Sequence, residues 1–237
     1  MKIEIIPTLK DNYTYILHGA EQTAVIDAGE VQPVIDYLER NNLKLDMIIN
    51  THHHGDHVAG NHELREKYSC PVAAPEKEAQ KIGGVDILLS ENSDFEICGK
   101  KAQIIETPGH TLGHICLYFA QSKALFCADT LFSMGCGRVF EGTHEQMWNS
   151  LQKLSSLPDD TYIYCGHEYT LANAEFCLQV EPDNIALKQR YEEIKHLRAS
   201  NKPTIPSTLK QEKETNVFLR AENVERFAEI RTQKDNS

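Results

Sequence analysis

The sequence predicts an α/β fold over its first 167 residues, followed by a smaller, all-helical stretch. Two observations predict it. Short β-branched runs alternate with segments of helical periodicity up to His167, and beyond that residue the strand signals fade. The 237 residues are 41% hydrophobic and 25% charged, enough apolar chain for a sizeable core.

The first expected strand, Lys2–Pro7, alternates apolar and polar side chains, and Thr14–His18 and Thr23–Asp27 follow. A helix over Val31–Asn41 ends at the Asn41-Asn42 turn and leads to a strand at Met47–Asn50. A second helix is expected over His57–Tyr68, then a strand at Val72–Ala74 and a Gly83-Gly84 turn. Further strands are Gln103–Thr107, Ile115–Phe119, Ala124–Asp129 and Thr161–Cys165. The helix His144–Leu157 carries Met147, Leu151 and Leu154 at helical spacing, which assigns that face to the core. After residue 167, helices are expected over Leu171–Val180, Ile185–Ser200 and Ala221–Thr232, with the connector Lys202-Pro203-Thr204-Ile205-Pro206 among them. The domain boundary is placed at 167/168.

A formal net charge of −11 argues against nucleic acid or an anionic membrane as partner, since both reward clustered Lys and Arg. No stretch reaches the ~20 apolar residues of a membrane span. The N-terminal segment lacks the basic start and apolar run of a signal peptide, and the seven cysteines contain no C-x-x-C pair. A cytoplasmic protein is expected.

The chemistry concentrates in Thr51-His52-His53-His54-Gly55-Asp56-His57, directly after Met47-Ile48-Ile49. In extended backbone, His52 and His54 face one way and His53 the other, so two imidazoles two residues apart can grip one cation. Gly55 is expected to let the chain turn, bringing Asp56 and His57 round to a second cation. Read alone, the segment also fits a helix-capping aspartate among surface histidines. Three later residues weigh against that: His110, Asp129 and His167 each lie where a strand pattern ends. Strand ends hold ligands on a rigid scaffold, as a metal site requires.

The segment T-H-H-H-G-D-H, together with T-P-G-H-T-L-G-H, A-D-T and C-G-H-E-Y-T, resembles the metallo-β-lactamase superfamily. C-G-H-E-Y-T with Gly135-Cys136-Gly137-Arg138-Val139-Phe140-Glu141-Gly142-Thr143 is similar to glyoxalase II, the hydroxyacylglutathione hydrolases, nearly end to end. The resemblance implies an αββα sandwich over residues 1–167, the catalytic domain, and a small helical substrate-binding domain over 168–237. It implies that His52, His54 and His110 bind one metal, that Asp56, His57 and His167 bind the other, and that Asp129 bridges them. Asp56 and Asp129 are the expected catalytic carboxylates. For the substrate it implies Arg138, Tyr169, Arg231 and Lys234, the last two in the run Ile230-Arg231-Thr232-Gln233-Lys234-Asp235. Without the family, Arg231 and Lys234 read as a solvated helix end. Some relatives carry Tyr where this chain has Phe140, which cannot offer a hydroxyl.

Nitrogen and carboxylate ligands without thiolate suit two divalent ions, expected to be zinc, with iron or manganese as alternatives. Such ions lower the pKa of bound water from about 16 towards ~7, which supplies a metal-bridging hydroxide. Two divalent cations less Asp56, Asp129 and hydroxide leave about one net positive charge, a well for an anionic substrate. The expected reaction is hydrolysis of S-(2-hydroxyacyl)glutathione thioesters, chiefly S-D-lactoylglutathione to D-lactate and glutathione, by a monomer. The rivals are a mononuclear-iron persulfide dioxygenase, a lactamase or phosphodiesterase on the same scaffold, and an inert metal-binding scaffold. His53 is expected to point away from the metals and Cys136 to be no nucleophile, while the sequence leaves open whether Phe140, His114 or Glu168 contribute to the site.

Overall fold

A computed structural model describes all residues, 1–237. The framework is two mixed six-stranded sheets flanked by helices, with a C-terminal helical region. No helix is long and apolar enough to cross a membrane. The chain forms two compact units, residues 1–106 with 113–122, and residues 107–112 with 123–237.

In the first unit, β1 (Lys2–Thr8), β2 (Asn12–His18) and β3 (Thr23–Ile26) form an antiparallel meander. The helix α1 (Gln32–Arg40) then crosses over to β4 (Met47–Ile49), which pairs parallel to β3. The segment expected as one helix over 57–68 is two, α2 (Gly55–Val58) and α3 (Asn61–Tyr68). The break falls at Gly60, whose N–H donates to the Ala28 carbonyl at 2.8 Å; a Cβ there would lie 2.6 Å from that oxygen. Backbone packed that tightly against another strand end interrupts the helical ladder.

Parallel β5 (Val72–Pro75), the short α4 (Ala79–Ile82) and β6 (Ile87–Leu89) complete the first sheet, whose strands lie in chain order. The core beneath it joins Ile16, Val25 and Ile48 to Val34 and Leu38 of α1 and Leu64 of α3. Each such side chain contributes roughly 1.5–3 kcal/mol by leaving water. The antiparallel run β7 (Phe95–Ile97), β8 (Lys100–Glu106) and β9 (Ile115–Phe119) belongs to the second sheet.

The second unit holds a parallel strand pair, a small hairpin and the C-terminal helices. The strand β10 (Ala124–Ala128) is followed by a small hairpin of β11 (Leu131–Phe132) and β12 (Gly135–Cys136). The helix α5 (His144–Ser155) starts with a capping box between Thr143 and Gln146, and Met147, Leu151 and Leu154 are buried as the periodicity predicted. The strand β13 (Tyr162–Cys165) pairs parallel to β10, and the helices α6 (Thr170–Val180) and α7 (Ile185–Ala199) follow. A two-residue strand β14 (Ser207–Thr208) then pairs with β13, before α8 (Leu209–Thr215) and α9 (Val224–Asp235).

The helical region grips the hairpin through polar groups. Glu212 of α8 is wholly buried and accepts from Ser133 Oγ at 3.0 Å and the Met134 N–H at 2.7 Å. Asn216 Nδ2 donates to the Phe132 and Gly135 carbonyls, and Asn173 Nδ2 of α6 to that of Ser133.

Candidate metal and substrate site

The first unit holds the histidine turn at the mouth of β4. His52 and His57 are buried, while His54 and Asp56 are partly exposed. His52 Nδ1 lies 3.0 Å from Thr51 Oγ1, which leaves its Nε2 facing His54 Nδ1 at 3.1 Å. His53 points elsewhere, to Glu78, as strand alternation predicted. His114 is buried and stacks on His52 with ring centroids 4.8 Å apart, a supporting role. Gly55 needs correction: it begins α2, and no heavy atom lies within 4 Å of where a Cβ would sit. The turn does not depend on a glycine there.

Sequence reasoning missed two residues that hold this turn. Asp27, at the end of β3, has a left-handed backbone with φ 53°. Its Oδ1 accepts from the Thr51 N–H at 2.9 Å. Its Oδ2 accepts from Thr51 Oγ1 at 2.7 Å and faces His57 Nδ1 at 3.1 Å. A carboxylate there fixes the imidazole with Nδ1 protonated and Nε2 turned outward, the arrangement of a metal-binding histidine. Asn12 donates from Nδ2 to Asp56 Oδ2 at 2.8 Å, which orients that carboxylate. The signal in the sequence was a polar residue at the end of an apolar strand, as in Val25-Ile26-Asp27.

In the second unit, Asp129 stands between two imidazoles. His110 Nε2 and His167 Nε2 each lie 3.3 Å from Asp129 Oδ2. The strand β10 ends one residue before Asp129: its pairing with β13 shifts register between Phe126 and Ala128, and Ala128 has φ 37°. Such a bulge re-aims the next side chain. The Gly166 N–H donates to the Ala128 carbonyl at 3.0 Å, which sets the His167 and Asp129 segments side by side. His110 Nδ1 is 2.8 Å from the Arg138 carbonyl, so it is the protonated nitrogen and Nε2 is left for a ligand bond. Glu168 turns away, accepting from the Thr204 N–H at 2.8 Å and Thr204 Oγ1 at 2.7 Å.

These donor sets fit divalent metal: His52, His57 and His110 each have one ring nitrogen fixed by the protein, and the other faces a second histidine or a carboxylate. Within the first unit, Asp27, His52 and His57 offer ligand atoms within 4.8 Å of one another.

The residues nominated for substrate lie in the second unit. Tyr169 is partly exposed, its ring parallel to that of His167 at 4.6 Å. Arg138 is half-exposed, and its Nε donates to Asp235 Oδ1 at 3.1 Å. Arg231 is buried, donating from Nη2 to the same oxygen at 2.9 Å and from Nη1 to the Cys136 carbonyl at 2.9 Å. Lys234 Nζ lies over the Phe176 ring; burial, reinforced by Arg231, pulls its pKa below the usual lysine value. An anion arriving there would relieve that strain. Phe140 is exposed, with its ring 5.3 Å from that of His110. Burial pushes the Cys136 thiol up to about 11, so at neutral pH it holds its proton and is no nucleophile.

Comparison with known proteins shows the family. Residues 7–167 match the metallo-beta-lactamase superfamily and residues 168–237 the hydroxyacylglutathione hydrolase C-terminus. A hydroxyacylglutathione hydrolase of Rhodopseudomonas palustris (strain BisB5) is 48% identical, covering 99% of this chain and 98% of the relative. One of Pelagibacter ubique (strain HTCC1062) is 49% identical over the full length of both. Among solved structures, ETHE1 from Myxococcus xanthus superposes with a TM-score of 0.75 at 22% identity, covering 99% of this chain and 92% of that one, a likeness of fold. With both segments matched and near-half identity throughout, the chain belongs to the hydroxyacylglutathione hydrolases, the glyoxalase II branch of the metallo-β-lactamase superfamily.

Proposed function

We propose that this chain hydrolyses S-(2-hydroxyacyl)glutathione thioesters, chiefly S-D-lactoylglutathione, to the hydroxy acid and glutathione. The observation that carries the reading is the match of residues 168–237 to the hydroxyacylglutathione hydrolase C-terminus. That segment separates it from other hydrolases built on the same sandwich. In this reading residues 1–167 are catalytic and 168–237 bind substrate.

Seven side chains are assigned to two divalent ions: His52, His54 and His110 to one, Asp56, His57 and His167 to the other, with Asp129 between. Within the first unit His52 Nε2 faces His54 Nδ1 at 3.1 Å, and within the second Asp129 Oδ2 lies 3.3 Å from Nε2 of both His110 and His167, which supports it. Zinc is the ion the reading favours, with iron or manganese as alternatives. Bound divalent ions supply acidified water and polarise the acyl oxygen.

The chain's own residues do the rest. Asp27 and the Arg138 carbonyl hold His57 and His110 at their Nδ1 atoms, so both present Nε2. Asp56, oriented by Asn12, would accept a hydrogen bond from the attacking water and so aim the water's lone pair at the acyl carbon. Arg138 and Lys234 meet the carboxylates of the glutathione moiety. Arg231 adds its buried charge behind them, and Tyr169 offers its hydroxyl and ring face. A neutral, buried Cys136 leaves direct attack by water as the route.

The test is thiol release from S-D-lactoylglutathione by purified protein, with metals quantified on the same sample. Rapid release with two ions per chain supports the proposal. One iron per chain with oxygen uptake on glutathione persulfide, and no thioester cleavage, overturns it in favour of the dioxygenase. We place the protein in the cytoplasm as a monomer. The buried thiols of all seven cysteines support a reducing compartment; size-exclusion chromatography tests the oligomeric state.

A further inference from the structure

We propose that Glu78 is a positioning residue for the histidine turn, fixing from behind the direction in which His52 and His54 present their ring nitrogens. The inference rests on the metal-site reading above. Glu78 follows β5 and is 1% exposed, in a part of the chain to which the hydrolysis assigns no role. A buried carboxylate is unfavourable unless its hydrogen bonds are met.

Here both oxygens are met by groups that frame the turn. Oε2 lies 2.8 Å from His53 Nδ1, which must be the donor because a carboxylate only accepts. Oε1 accepts from the Gly113 N–H at 3.0 Å. His53 sits between two assigned ligands with its side chain on the reverse face, so gripping that imidazole sets the rotation of the backbone carrying both. Gly113 precedes His114, whose ring stacks on His52, and the Ile115 N–H donates to the Thr51 carbonyl at 3.0 Å. Glu78 thus braces two segments that also meet each other directly. The fit leaves no slack: a Cβ on Gly113 would lie 2.4 Å from Glu78 Cγ, so only glycine lets the amide approach the carboxylate.

The alternative is a carboxylate that only stabilises the fold. Metal retention separates the two. The experiment measures metal content, the rate of metal loss to excess chelator and the melting temperature of the metal-free protein, for wild type, Glu78→Gln, His53→Ala and the double variant. Partners that orient metal ligands typically contribute 10–100-fold to affinity, so each single variant is expected to lose metal about tenfold faster than wild type. The double variant is expected to add little, because both changes break one contact. kcat should fall with occupancy, with KM within about twofold of wild type.

Unchanged metal loss in the variants, with two ions in wild type, overturns the role of Glu78 and leaves the metal reading standing. A wild-type protein that binds no metal overturns both. If Glu78→Gln does not fold, His53→Ala decides alone, since it removes the imidazole contact and keeps the carboxylate on the Gly113 amide.

Discussion

The two clusters of candidate ligands, one in each unit, are built in opposite ways. In the first unit, His52, His54, Asp56 and His57 come from six consecutive residues at the mouth of one strand. The work of aiming them falls on Asp27, Asn12 and Glu78, which are distant in sequence. In the second unit, His110, Asp129 and His167 are themselves distant, and backbone aims them: the bulge at Ala128, the Gly166 bond and the Arg138 carbonyl. A local motif needs remote side chains to orient it, whereas a dispersed one relies on the sheet. The first half should therefore be sensitive to single substitutions of supporting residues, and the second chiefly to loss of a ligand.

Removing the second half's central carboxylate should have the largest effect. Asp129→Ala is expected to lower metal content and cut kcat by about a thousandfold or more, equivalent to roughly 4 kcal/mol of lost charge stabilisation. Normal metal content and rate in that variant would break the assignment of Asp129 between the ions. Next comes the support of the first half: Asp27→Asn should weaken metal binding about 10–100-fold in a chelator titration, because the amide no longer forces His57 to present Nε2. If Asp27→Asn binds metal as wild type does, remote aiming of the local motif is wrong. A smaller effect is expected away from the metals, where Lys234→Ala should raise KM about tenfold with kcat nearly unchanged. An unaltered KM removes Lys234 from the substrate site.

The smallest prediction concerns pH. Burial pushes the thiols of Cys136, Cys165 and Cys177 up to about 11, 12 and 12, from a model-compound value of 9.0. The folded protein keeps these protons after the unfolded chain has begun to lose them. Their contribution to stability is thus intact below about pH 9 and is lost as pH rises towards 11–12. Lys234, with its pKa lowered, acts in the opposite sense as pH approaches 10.5, but burial also raises the thiols of Cys70 and Cys98 and the Tyr164 phenol, which act with the three. Thermal melts from pH 8 to 11 should show Tm falling by several degrees; a flat or rising Tm would contradict the three buried thiols.

Much of this was legible in the sequence because it is local. Periodicity located α1, α5 and the central strands to within a few residues, and H-x-H-x-D-H just after an apolar strand pointed to a cluster of candidate metal ligands. Short or irregular elements escaped: β11, β12 and β14 are two-residue strands, fixed by pairing partners rather than by pattern. The break between α2 and α3 escaped because it depends on the carbonyl of Ala28. The supporting residues escaped for the same reason. Nothing in Pro75-Glu76-Lys77-Glu78 distinguishes the buried carboxylate from its exposed neighbour Glu76, since only the position of His53 does so. Arg231 shows the converse: its place near a helix end reads as solvated, against the substrate contact that the resemblance implies, yet it is buried, and its guanidinium shares Asp235 with Arg138.

Glu212 bears on how such a chain can be cut and rejoined. Its carboxylate accepts from the Ser133 hydroxyl and the Met134 amide, and Asn216 and Asn173 donate to the carbonyls of Phe132 and Ser133. Ending the gene at residue 167 would therefore strip several buried amides and carbonyls of their partners at once, at about 1–3 kcal/mol each. Such a truncation would yield insoluble protein rather than a working sandwich blind to glutathione. Grafting the tail onto another scaffold would equally demand a hairpin shaped to receive it. The helices and the hairpin form one inheritable piece.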